Sequence, residues 1–192
     1  MIRIGILGDI GCGKSYVAKL FDCPVFNADV EVAKLYKKNR KCYKRLKKNL
    51  PKHITSFPIK KSELFGAIMD NASNLKKIIK IIHPEIRVKM NSFVKKFRNK
   101  KIIVLDIPLL LENKINKKSD VLIFVDAKKK EIIKKLKKRK NYNPKIIEKL
   151  KKLQLPIERK KIRANFVIKN NFRHHTTKKN VKRILEKILL ND

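Results

Sequence analysis

The run Gly8-Asp9-Ile10-Gly11-Cys12-Gly13-Lys14-Ser15 constrains this chain more than any other stretch. Its spacing, G-x-x-x-x-G-K-[ST], describes a loop whose backbone N–H groups converge on phosphate oxygens. Lys14 can then reach β- and γ-phosphates, as in ATP, and the Ser15 hydroxyl can ligate Mg²⁺. The flanks fit the loop. Ile2-Arg3-Ile4-Gly5-Ile6-Leu7 reads as a mostly apolar buried strand, and Tyr16-Val17-Ala18-Lys19-Leu20-Phe21 reads as the helix that follows. Strand, loop and helix in that order aim a helix N-terminus, with its partial positive charge, at the phosphates. A dinucleotide fingerprint is excluded, because Tyr16 stands where the third glycine of G-x-G-x-x-G would be.

Five short apolar runs read as buried parallel strands: Ile4 to Leu7, Pro24 to Phe26, Ile102 to Leu105, Val121 to Val125 and Phe166 to Ile168. Helical patterns separate them, the alternation of an α/β fold whose parallel sheet is covered by helices. The expected architecture is a P-loop NTPase core built from residues 1–36, 101–127 and 164–192. The basic, predominantly helical stretch from about 37 to 100 is too long for a simple crossover and reads as an inserted substrate-binding subdomain. A second insertion, about 128 to 163, is very basic and has the look of a lid. Within the first insertion, Pro84 restricts His83 away from helical geometry, so a helix is expected to end or kink there.

Several polar residues carry competing readings. Asp106 ends the third strand and resembles the acidic strand terminus that positions Mg²⁺ in P-loop proteins. Asp29 follows the second strand at the sheet's ligand-binding edge, yet reads equally as N-cap of a helix beginning near Val30. Glu112 reads locally as a surface helix acid. His83 reads as a packed or substrate-shaping histidine. Arg139 is either one more solvated cation or a lid charge for the transferring phosphoryl group.

The net charge of +36 invites a nucleic-acid partner, but only ten of the 52 basic residues are arginine. Lysine spread over every helical segment fills solvated faces, whereas base and phosphate readout favours arginine's rigid fork. With no Trp and no interleaved arginine–aromatic stretch, no specific nucleic-acid partner is expected. Cys12, Cys23 and Cys42 lack metal spacing and are odd in number, which suits reduced thiols in a cytoplasmic protein. Cys12 reads as a small filler inside the loop. No leader pattern and no apolar run of about eighteen residues appears, so no membrane partner is expected.

These motifs, in this order, resemble those of the dephospho-CoA kinases: Gly8 to Ser15, Asn27-Ala28-Asp29, His83-Pro84, Asp106-Ile107-Pro108-Leu109-Leu110-x-Glu112, Arg139, Gln154 and Phe166-Val167-Ile168-x-Asn170. The likeness covers nearly the whole chain. It implies transfer of the ATP γ-phosphoryl to the 3′-hydroxyl of 3′-dephospho-CoA, with Mg²⁺, by a monomer or small homo-oligomer. It also implies catalytic roles for Lys14, Asp29 and Arg139, with Asp29 as the base beside the acceptor hydroxyl. ATP contacts fall to Gly8, Gly11, Cys12, Gly13, Lys14, Ser15 and Tyr16, with Asn170 near the adenine and Ser15 on the metal. Acceptor contacts fall to Asp29, His83, Pro84, Asp106 and Leu109.

The chain departs from the family pattern at several positions. Asn27 replaces an Asp, Tyr16 a Thr, Asp9 a Gly, Asn165 an Asp and Phe172 a Gly. Two rival readings are another P-loop kinase acting on nucleoside monophosphates and a basic nucleic-acid-binding protein with an NTP site.

Overall fold

Seven consecutive residues, Ile2–Gly8, form strand β1, and every one of them is buried. A strand covered on both faces belongs in the middle of a parallel sheet. The computed structural model puts it there: the sheet order is β2-β3-β1-β4-β5, with every pairing parallel. It describes residues 1–139 and 142–190; Lys140 and Asn141, inside the expected second insertion, and Asn191 and Asp192 lie outside the described residues.

In chain order the elements are β1, α1 (Lys14–Lys19), β2 (Val25–Asn27), α2 (Ala28–Lys38), α3 (Arg40–Asn49), α4 (Lys61–Asp70) and α5 (Ala72–Lys96). They continue with β3 (Ile102–Asp106), β4 (Val121–Asp126), α6 (Lys129–Lys137), α7 (Pro144–Lys151), α8 (Ile157–Ile162), β5 (Phe166–Lys169) and α9 (His174–Leu190). All five expected strands form. The second starts one residue late, at Val25, because Pro24 has no N–H to give the ladder; its carbonyl still accepts from Val104 N at 2.9 Å.

By their contacts the described residues form two compact units. The first comprises Met1–Asn27, Phe97–Tyr142 and Lys151–Asp192, and holds the whole sheet with α1, α6, α8 and α9. Its core is the strand interior, including Ile4, Ile6, Ile103, Leu105 and Ile123, all fully buried. Gly5 sits mid-strand in β1, where a Cβ would come within 2.5 Å of the Leu110 side chain and 2.9 Å of Leu122. The turn after β3 therefore packs directly onto the β1 backbone.

The second unit comprises Ala28–Lys96 and Asn143–Leu150. Its centre is α5, which packs against α2, α3 and α4. Of the alternatives that the sequence leaves open, two are removed here. Helix α5 does not end at His83; Pro84 lies inside it. The proline forfeits one helical hydrogen bond, but Ile78, Ile81 and Ile82 before it and Ile86 and Met90 after it are all buried on one helical face. Each buried side chain is worth about 1.5–3 kcal/mol, so packing on both sides outweighs the lost bond. Helix α2 begins at Ala28 rather than near Val30, so Asp29 lies within its first turn and is not its cap. A carboxylate there complements the helix's positive end.

Candidate active site

β1 hands the chain to the phosphate loop at the carboxyl edge of the sheet, where ligands of such sheets bind. The loop turns through left-handed backbone at Gly11 (φ 87°) and Gly13 (φ 93°), the latter also capping α1. A side chain on Gly13 would overlap the Asn170 amide. Lys14 folds its ammonium back over the loop, donating to the carbonyls of Gly8 at 3.2 Å and Asp9 at 2.9 Å. Ser15, next in α1, is exposed.

Two residues brace this loop from below. The Cys12 side chain is buried, and burial pushes its thiol up from the ordinary range, which suits the filler role rather than a nucleophile. Asn170, 2% exposed at the end of β5, donates from Nδ2 to the Cys12 carbonyl at 2.9 Å. Its Oδ1 accepts from Phe172 N–H at 2.9 Å and from Thr177 Oγ1 at 3.0 Å. The structure thus engages the Asn170 side chain with the loop and with α9. Thr177, fully buried, is a residue that sequence reading missed; nothing local marks it.

Register brings a second group together. Asn27, last in β2, lies opposite Asp106, last in β3, and its Nδ2 donates to Asp106 Oδ2 at 2.5 Å and to Ser15 Oγ at 3.3 Å. Asp106 is 3% exposed. Burial pushes its carboxyl up, while the Ser15 hydroxyl, the Lys14 ammonium and the Asn27 amide pull it back toward ionisation. A second carboxylate at position 27 would face Asp106 charge to charge; the amide supplies a donor instead. Ser15 and Asp106 offer hydroxyl and carboxylate oxygens, the hard donors that Mg²⁺ takes alongside phosphates and water. The donor set fits that metal.

Glu112 overturns its local reading. It lies in the turn after β3, not on a surface helix, and its side chain is 10% exposed. Its Oε1 accepts from Leu155 N–H at 2.9 Å and from Lys160 Nζ at 2.8 Å. Lys160, 2% exposed on α8, also donates to Gln154 Oε1 at 2.9 Å. The D-x-P-L-L-x-E run therefore ties the Asp106 strand end to the segment 154–160. Lys160→Ala is expected to cost about 3 kcal/mol, because it strands a buried carboxylate. The readout is the melting temperature; a variant within about 1 °C of wild type would refute the tie.

The remaining expected residues fall as follows. Leu109 is half-buried in the same turn, its carbonyl accepting from the Asn113 backbone and side chain at 3.1 and 2.9 Å. Tyr16 is half-buried, its hydroxyl 2.9 Å from His174 Nδ1. Arg139 is exposed just past α6. His83 is half-buried in α5 beside exposed Pro84; burial and Arg87 both hold its imidazole below the usual pKa. Phe172 keeps a left-handed backbone (φ 60°) that glycine adopts freely, and Lys135 Nζ lies 5.4 Å over its ring.

The family model described as dephospho-CoA kinase matches residues 2–176. The chain belongs to the dephospho-CoA kinase family. Dephospho-CoA kinase of Bartonella quintana is 32% identical over 193 residues, covering 98% of this chain and 98% of that protein. Dephospho-CoA kinase of the Wolbachia of Brugia malayi is 30% identical over 192 residues, covering 97% and 98%. Among solved structures, TT1252 from Thermus thermophilus is similar with a TM-score of 0.77 at 25% identity, over 99% of this chain and 97% of that one. The fold is thus that of P-loop kinases: a five-stranded parallel sheet flanked by helices. As a member of a kinase family the chain is a transferase with ATP as a substrate and a small molecule as the other. No helix among the described residues is long and apolar enough to cross a membrane.

Proposed function

We propose that this chain phosphorylates the 3′-hydroxyl of the ribose of 3′-dephospho-CoA, giving CoA and ADP, the last step of coenzyme A biosynthesis in the cytoplasm. The observation that carries the reading is the phosphate loop seated beside the Asn27–Asp106–Ser15 group, in a chain of this family. The bond from the γ-phosphorus to its bridging oxygen breaks as a bond to the acceptor's 3′-oxygen forms, and ADP leaves with the bridging oxygen.

Within that reaction the loop N–H groups of Gly11 to Ser15 and the Lys14 ammonium hold the polyphosphate and oppose its charge as it redistributes. Ser15 would hold Mg²⁺, with Asp106 as the nearby carboxylate, and the ion would supply positive charge against the phosphates. Asp29 takes the acceptor's proton, a role assigned through the family motif. Arg139 supplies a positive charge to the transferring group. Asp29, His83, Pro84, Asp106 and Leu109 serve the acceptor, and Asn170 acts through the loop it braces.

A coupled assay of ADP release tests the reading directly. ADP should appear rapidly with 3′-dephospho-CoA and hardly at all without it. Equal release with a panel of nucleoside monophosphates, and none with 3′-dephospho-CoA, would replace this acceptor with another.

A further inference from the structure

Asp9 puts a carboxylate inside the phosphate loop itself, one residue after Gly8. Its Oδ1 accepts from Ile10 N–H at 2.6 Å, which fixes the side chain against the loop. Its Oδ2 accepts from Lys151 Nζ at 3.1 Å, and its backbone carbonyl accepts from Lys14 Nζ at 2.9 Å. Two lysines thus close on one loop residue, Lys14 on its backbone and Lys151 on its side chain. The Asp9 side chain is 14% exposed and that of Lys151 is 44% exposed. The acid is held in the loop wall, and the lysine reaches it from the solvent side at the end of α7.

A fixed carboxylate in this position repels the polyanion that Lys14 binds, and the repulsion is strong at short range in a partly buried site. We propose that Lys151 is the counter-charge that lets this acidic phosphate loop accept ATP. It acts through Asp9: with the ammonium in place the pair is neutral, and the loop N–H groups and Lys14 present net positive potential to the phosphates. Lys151 is a positioning residue, distinct from Lys14. The inference rests on ATP being the nucleotide this loop binds.

The test is a double-mutant cycle on direct ATP binding and on turnover. Lys151→Ala should raise Kd and KM for ATP about tenfold, with kcat within about twofold of wild type. Asp9→Asn keeps an oxygen for the Ile10 N–H and removes the charge, so it should bind ATP at least as tightly as wild type. Lys151→Ala combined with Asp9→Asn should then lie within about twofold of Asp9→Asn alone. A Lys151→Ala protein that binds ATP like wild type overturns the proposal. So does a loss that persists undiminished when Asp9→Asn is added, since that would place Lys151 on the phosphates directly. Wild-type protein that fails to bind ATP would bring down the nucleotide reading itself, and this inference with it.

Discussion

Lys14→Ala is expected to reduce phosphoryl transfer by about three orders of magnitude or more while the protein stays folded. Bound polyphosphate offers the Lys14 ammonium a stronger, charged acceptor than the Gly8 and Asp9 carbonyls. Its loss removes a preorganised positive charge from the group being transferred, where one lost donor alone costs about 10²–10³ in rate. Far-ultraviolet circular dichroism and ADP release, measured on the same sample, separate chemistry from folding. A folded variant with near-normal turnover would refute the loop as the reaction centre.

Asp29→Asn carries the second large effect. If Asp29 takes the 3′-hydroxyl proton, kcat falls by about a hundredfold or more, the scale of a lost general base. The competing reading as a helix cap has already lost its geometry, since α2 begins one residue earlier, at Ala28. A first-turn carboxylate also interacts favourably with the helix dipole, worth about 0.3–1 kcal/mol. In a chain of this size that shifts Tm by only a few degrees at most. A large drop in kcat with a small shift in Tm supports the base. Retained turnover removes Asp29 from the mechanism.

The sequence made the nucleotide half of the site legible because its signals are local. A buried run, a glycine spacing and a helix fall within residues 2–21, and each element reports on its neighbour. The strand ends that carry Asn27 and Asp106 were legible for the same reason, since an apolar run ending in a polar residue marks the edge of a sheet. What escaped was held by distant partners. Glu112 reads as a surface acid until Leu155 and Lys160, more than forty residues on, close over it. Asp9 reads as a mere departure from glycine in the loop, and its partner Lys151 lies 142 positions away. Pro84 acts in the opposite direction: it removes one helical hydrogen bond, and the apolar face of α5 on both sides carries the helix through it.

The Asn170 brace also bears on how such a molecule comes to be made. The hydrogen bond from Asn170 to the Cys12 carbonyl spans 158 positions of the chain. The central strand likewise waits for β3 and β4, since its partners begin at Ile102 and Val121. Long sequence separations of this kind slow folding, because the loop-closure entropy is lost before the contact forms. During synthesis the phosphate loop emerges well before the residue that braces it. A nascent chain that has not yet extended past residue 170 carries the phosphate loop without the side chain that hydrogen-bonds its backbone.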